Sequence, residues 1–192
     1  MISEKEIEKL FGEYLGQIKD KKMRNMTVKV WVDGCKQGGW TSVKQLEKMP
    51  YTLLTETYGV NFIEHTIAVT RGAMELAKAQ LDNYKKMPYK IDMDRLIVGG
   101  LLHDVGKLVE TEPDGKGGYR KSRAGACLRH PVSGTVMAKM AGFSDEIANT
   151  IACHAKEGEG APQVIETVFI HQADFATFNP LVMMNGGKLI QD

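Results

Sequence analysis

The chain has 192 residues, 43% hydrophobic and 26% charged, with a formal net charge of +1. That length sustains one domain with its own core, and the balanced charge supplies no bulk attraction for nucleic acid or an anionic membrane. The start (Met1–Glu6) lacks the basic residues and apolar run of a signal peptide, and stretches such as 96–102 are too short to span a bilayer. Cys35, Cys127 and Cys153 fit neither a disulfide framework nor a CxxC knuckle, so buried thiols in a cytoplasmic protein are expected.

Helical periodicity dominates. Ile7, Leu10, Phe11, Tyr14, Leu15 and Ile18 predict an amphipathic first helix. Val28, Trp31, Val32 and Cys35 fit a second, ended by Gly38-Gly39, although Val28, Val30 and Val32 also alternate as a strand would. Ser42 with Gln45 predicts a capping box opening a short helix that closes before Pro50. Asn61 with Glu64 predicts another cap, and the stripe Ile63, Ile67, Met74, Ala77 and Leu81 then sets His65 in the first turn of a long helix. Asp92 or Asp94 caps the next, which carries 96–104 and loosens at Gly106.

The segment Glu110–Arg129, with Pro113-Asp114-Gly115, Gly117-Gly118 and the basic run Tyr119–Arg123, reads as a solvated loop or as a loop covering substrate. His130 reads as an N-cap with Pro131 at the first helical position, and Ala141-Gly142 as that helix's end. Ser144 starts a helix ending near His154. Ala161-Pro162 opens the last one, which carries His171 and Asp174 and stops before Pro180.

Four of the five histidines, with two aspartates, form the ordered series His65, His103-Asp104, His130, His154 and Asp174. Imidazole and carboxylate groups hold Zn, Mn or Fe and leave positions open for water and substrate. Six ligands exceed the need of one four-coordinate ion and suit two, with Asp104 as the bridging carboxylate. Such a pair generates hydroxide at neutral pH and neutralises charge on the attacked group, which suits phosphate esters. Lys107, three residues after Asp104, reaches toward that carboxylate or a phosphoryl oxygen. His171 stands open as an extra ligand, a partner of Asp174 or a core histidine, and Lys156 and Glu157 read as solvated.

These residues resemble the HD-domain superfamily of metal-dependent phosphohydrolases over about residues 60 to 178. His103-Asp104-Val105-Gly106-Lys107 looks like its HDxGK signature, and His130-Pro131-Val132-Ser133-Gly134 like the HPxxG motif. The resemblance implies His65, His103, Asp104 and Asp174 on one metal, with His130 and His154 completing the second. The HD-GYP type would continue past His154 with another histidine and a GYP tripeptide. Ala155 and Glu157–Pro162 stand there instead, which removes the warrant for cyclic di-GMP.

The expected fold is therefore all-α: a single-domain helical bundle with the metal site at its centre. Residues 1–55 form a helical extension packed on the core, 56–180 the HD domain and 181–192 a tail. The expected function is a phosphohydrolase acting on a nucleotide or other small phosphorylated compound through a metal-bound hydroxide. Asp104 and Lys107 are the catalytic candidates, and Lys107, Lys121 and Arg123 the substrate-binding ones. Two divalent ions (Mn, Fe, Mg or Zn) are the cofactors. No membrane or nucleic-acid partner is expected, and homo-oligomerisation stays open. The alternative is a di-iron oxygenase of the inositol-oxygenase-like type, which shares the six ligands. A non-catalytic binding module would be expected to have lost ligands, and none is missing.

Overall fold

Ser3 and Glu6 close a capping box that starts α1 (Glu4–Leu10), and the backbone breaks at Phe11 before α2 (Gly12–Leu15), so the expected first helix is two short ones. The computed structural model describes residues 1–190. Asp20 caps α3 (Lys21–Gly38) by accepting from the backbone N–H groups of Lys22 and Met23, and Gly39, at φ 77°, ends it in the left-handed region that glycine favours. The alternating valines are thus helical. Thr27, Val28, Val30, Trp31, Gly34 and Cys35 are all buried, because α3 is packed on several sides by α1, by α6 (Met93–Leu102) and by α7 (Lys107–Glu110). Alternation over a few residues cannot distinguish a strand from a helix buried this widely.

The Ser42–Gln45 capping box opens α4 (Val43–Leu46), and the Asn61–Glu64 box opens α5 (Phe62–Asn83), both as the spacing predicts. Of the two candidate caps for α6, Asp92 is the one used, accepting from Arg95 N at 3.0 Å. Asp94 instead accepts from the backbone N–H groups of Lys19 and Asp20, at 3.0 and 2.8 Å, tying the N-terminal segment to α6. After α7 the chain is not a plain loop. β1 (Thr111–Pro113) pairs antiparallel with β2 (Tyr119–Lys121) in the register Thr111↔Lys121, and α8 (Arg123–Cys127) follows. Three-residue strands, one of them containing proline, leave almost no alternation to read.

Arg129, not His130, is the N-cap of α9 (His130–Met140), so His130 is its first helical residue and Pro131 its second. α10 (Asp145–Cys153) begins after Ser144 and ends at His154 as expected. The last helix, α11 (Ile165–Asn185), starts later than Ala161 because Gln163 and Val164 are tied to residues of α10 and of the 3-10 turn Lys156–Gly158: Gln163 Nε2 donates to the carbonyls of Cys153 and Gly158, and Val164 N to Asn149 Oδ1. It also runs through Pro180 instead of stopping before it. An interior proline costs about 3 kcal/mol or more. The turns beyond it are held by tertiary contacts: Leu181 packs on the core, and Asn185 binds Tyr58 Oη, Thr55 Oγ1 and the Glu56 carbonyl. Positions 191 and 192 of the expected tail lie outside the described residues.

α5, α6 and α11 pack together, α10 joins them against α6 and α11, and α9 pairs with α10. Residues before position 55 share one core with them, since Ile7, Phe11, Trp31, Trp40 and Leu46 cluster with Phe62, Leu101, Leu102 and Leu108. Two tryptophans fix this relation. Trp31 Nε1 donates to the Leu101 carbonyl at 3.0 Å and Trp40 Nε1 to the Leu108 carbonyl at 2.7 Å, one on each side of His103-Asp104. Cys35 is buried, but Cys127 is exposed and Cys153 half-buried, contrary to the expectation of three buried thiols. No described helix is long and apolar enough to cross a membrane.

Replacing Trp40 by Phe keeps much of the packing but removes the donor to the buried Leu108 carbonyl. The expected loss is about 1–3 kcal/mol in urea denaturation, and an unchanged midpoint would contradict this role.

Candidate metal centre

Six side chains separated by up to 109 positions in sequence meet around Asp104. The reason is local at each. His65 is on the first full turn of α5, fixed by the Asn61–Glu64 box. His103 ends α6, and Asp104 follows in the turn before α7. His130 is on the first turn of α9, His154 closes α10, and Asp174 lies in mid-α11 rather than at a helix end. The motif glycines bring two of these segments together. A Cβ on Gly106 would sit 2.1 Å from the His130 carbonyl oxygen, and one on Gly134 3.2 Å from Gly106 N. Only glycine at 106 lets the turn after the His-Asp doublet lie directly against the start of α9.

The Asp104 carboxylate faces two pairs of imidazoles. Oδ2 is 3.3 Å from His65 Nε2 and 3.4 Å from His103 Nε2. Oδ1 is 3.2 Å from His130 Nε2 and 3.4 Å from His154 Nε2. Asp174 Oδ1 extends the first group, 3.1 Å from His65 Nε2. The potential ligand atoms of His65, His103 and Asp104 lie within 4.8 Å of one another, and so do those of Asp104, His130 and His154.

Each ring is oriented from behind by its other nitrogen. His103 Nδ1 meets the Gly100 carbonyl at 2.6 Å, His154 Nδ1 the Ile151 carbonyl at 2.8 Å, His130 Nδ1 Glu110 Oε2 at 2.8 Å and His65 Nδ1 Thr177 Oγ1 at 3.3 Å. A proton on Nδ1 leaves the Nε2 lone pair directed inward, the tautomer a metal ligand needs. Asp104 Oδ1 and His154 Nε2 are buried with no hydrogen-bond partner among the described residues. Buried polar atoms are seldom left so. A divalent cation at this place would satisfy both, and the donor set fits one.

The electrostatics agree. Burial pushes the Asp104 carboxyl up, but the Lys107 ammonium and the surrounding imidazoles outweigh it and hold its pKa well below the ordinary 3.8. Lys107 Nζ is 2.6 Å from Asp104 Oδ2 and donates to the Tyr51 carbonyl at 2.6 Å. Asp174, despite its burial, is brought to about 2 by its hydrogen bond to His65 and by the other imidazole nearby. Burial also opposes charge on His65, yet hydrogen bonds to Asp104 and Asp174 raise its pKa above 6.5, whereas burial keeps His130 below that value.

A cavity of about 210 Å³ opens beside the cluster, lined by His130, Asp174 and Lys107 and by residues the sequence reading did not single out: Tyr51, Glu110, Arg129 and Phe178. Tyr51 stacks on the His65 ring at 4.2 Å and 16°. Glu110 had a faint signal, being one helical turn past Lys107. Tyr51, Arg129 and Thr177 had none, since only tertiary packing brings them here. Lys121 lines this cavity, and Lys156 and Glu157, exposed as expected, border it too. Arg123 lines a different groove, with Gln37, Cys127 and Met140, because α8 turns it away. His171 Nδ1 meets the His154 carbonyl at 2.7 Å, tying α11 to the end of α10, and the described hydrogen bonds include none from His171 to Asp174.

The raised His65 pKa has a direct consequence for metal binding. His65 keeps a proton to higher pH than an ordinary imidazole and a cation must displace it, while His130 gives its proton up more readily. Mn²⁺ affinity is therefore expected to fall as pH drops from about 8 to 6, with release of up to about one proton per chain. Calorimetric titration in two buffers of different ionisation enthalpy measures it. Affinity independent of pH would contradict the assignment.

Comparison with known proteins agrees with the geometry. The sequence model of the HD domain family matches residues 62–175. Among curated proteins, Ribonuclease Y of Pseudothermotoga lettingae is 31% identical over 132 residues, 69% of this chain and 21% of that protein. Ribonuclease Y of Thermotoga maritima matches over the same shares at 31%. An uncharacterized protein of Methanocaldococcus jannaschii is 29% identical over 115 residues, 60% of this chain and 57% of its own length. The chain thus spans about a fifth of the length of the ribonucleases it matches. No solved structure matches it. The chain belongs to the HD domain family of metal-dependent phosphohydrolases.

Proposed function

We propose that the chain hydrolyses a small phosphorylated compound, a nucleotide first among them, at a centre of two divalent cations bridged by Asp104. The observation that carries this reading is the division of the Asp104 carboxylate, with one oxygen facing His65 and His103 and the other His130 and His154. Asp174 would join the first pair. Two cations held there would supply an acidified water and neutralise charge on the phosphoryl group. Among Mn, Fe, Mg and Zn, the imidazole-rich donor set favours the transition ions over Mg.

The residues around the centre divide the work. Lys107 uses two of its three N–H donors on Asp104 and the Tyr51 carbonyl, and the third is available to a phosphoryl oxygen. Lys121, Arg129 and Lys156 set positive charge along the cavity, where Glu110 and Glu157 only partly offset it. Leu53, Leu54, Phe175 and Phe178, also on the cavity lining, offer an apolar surface for the organic part of the substrate. A cavity of about 210 Å³ is below the roughly 300–1,000 Å³ common for ligand pockets, which favours a compact ester over a longer chain.

A second reading has its own support. The relatives over 69% of the chain are named ribonucleases, which makes an RNA phosphodiester the next candidate substrate despite the neutral net charge. Hydrolysis of nucleoside monophosphates, bis-p-nitrophenyl phosphate and a short oligoribonucleotide, followed as released phosphate, p-nitrophenol and shortened strands respectively and each with Mn²⁺ under anoxia, separates the two. The expected result is turnover of the small esters. Cleavage of the oligoribonucleotide alone would favour the second reading. Oxygen uptake by iron-loaded protein without any phosphate release would favour the di-iron oxygenase instead.

Asp104→Ala is expected to lower turnover at least about a thousandfold, the loss of an essential group in a unit that acts together, with helical circular dichroism retained. Lys121→Ala is expected to raise KM about tenfold, the worth of one charge-assisted contact near 1.4 kcal/mol, with little change in kcat. An unchanged KM would remove Lys121 from the substrate site.

A further inference from the structure

Glu110 is a buried carboxylate that the six-residue motif leaves out. It closes α7, one turn after Lys107, and the chain folds around it from three directions. Its Oε2 accepts from His130 Nδ1 at 2.8 Å and also from the His130 backbone N–H. Its Oε1 faces Lys121 Nζ at 3.7 Å and Arg129 Nε at 3.5 Å, both on the cavity wall. From the third side α8 lies against it so closely that a Cβ on Gly125 would sit 2.7 Å from Glu110 Cγ. That approach is fixed in turn by Ser122, whose Oγ donates to the Val109 carbonyl at 2.5 Å and accepts from Gly125 N at 2.9 Å.

The four inward-facing histidines are not braced alike. His103 and His154 are oriented by carbonyls of their own helices three residues back, and His65 by a neutral hydroxyl. Only His130 has a carboxylate behind its ring, and that same oxygen also fixes its main chain. A carboxylate in this place locks the Nδ1–H tautomer and makes Nε2 a stronger donor. His130 also belongs to the half of the cluster that has fewer protein ligands of its own, because Asp174 sits with His65 on the other.

We infer that Glu110 is a positioning residue for the second cation: through His130 it sets the affinity of the Asp104–His130–His154 half without touching ion or substrate. The inference rests on the two-ion reading above. It follows that the hairpin and α8, which carry none of the six residues, serve the metal centre by bringing Ser122 and Gly125 to the back of Glu110.

Mn²⁺ titration followed by calorimetry and electron paramagnetic resonance tests it on wild type, Glu110→Ala and Glu110→Gln. Wild type is expected to bind two ions with a spin-coupled signal. Glu110→Ala is expected to keep the first ion at wild-type affinity and to bind the second about 10–100-fold more weakly, the usual cost of losing such a partner. Its coupled signal should return at high Mn²⁺. Glu110→Gln retains an acceptor oxygen for both His130 N–H groups but not the charge, and is expected to leave the first ion unchanged and to weaken the second by less than Glu110→Ala does. This variant keeps the test decisive if the alanine variant does not fold, since equal weakening of both ions in Glu110→Gln would make Glu110 merely structural. Two equally tight ions in Glu110→Ala would overturn the assignment alone. One ion in wild type would overturn the two-ion reading as well.

Discussion

Everything around the centre follows from one constraint: a carboxylate, Asp104, is kept ionised in a place with almost no water. Its side chain is 2% exposed. An isolated buried charge of this kind is costly enough that it would ordinarily take up a proton. Here Lys107 answers one oxygen at 2.6 Å, and four imidazoles close the rest of the shell. Lys107 alone does not complete the arrangement, since Asp104 Oδ1 and His154 Nε2 have no hydrogen-bond partner among the described residues. The protein has the form of a shell built for additional positive charge.

Holding that shell falls to residues far from it in sequence. Trp31 on α3 and Trp40 just after it bind the carbonyls of Leu101 and Leu108, so the N-terminal segment clamps both flanks of His103-Asp104. The Tyr51 carbonyl positions the Lys107 ammonium while its ring covers His65. All three residues lie ahead of residue 62, where the match to the HD domain family begins. The segment before the family core is therefore part of the site's support, and its Leu53 and Leu54 also form one wall of the cavity.

How much of this could be read beforehand depended on the range of the interaction. That His65, His103, Asp104, His130, His154 and Asp174 converge was legible, though they span 109 positions, because metal-binding chemistry restricts residue type. The Asn61–Glu64 and Ser42–Gln45 boxes were legible because each spans three residues. Arg123 was misplaced because a run of basic residues says nothing about which of them α8 will turn outward. The passage of α11 through Pro180 was hidden since Asn185 is anchored to the 55–58 segment across about 130 positions. Glu110 fell between these cases: its spacing from Lys107 is local, but its partner His130 is twenty residues on.

The arrangement suits the hydrolytic family to which the chain belongs. Imidazoles fixed from behind and a shared carboxylate present a rigid, preorganised frame, and the cavity beside it is lined by both cationic and apolar side chains. The central claim is that Asp104 divides two cations between its oxygens. Anomalous difference maps from crystals grown with Mn²⁺, collected on both sides of the manganese edge, address it most directly. Two peaks about 3.5–4 Å apart are expected, one among Asp104, His65, His103 and Asp174 and the other among Asp104, His130 and His154. A single peak, or a second one away from His130 and His154, would contradict the account.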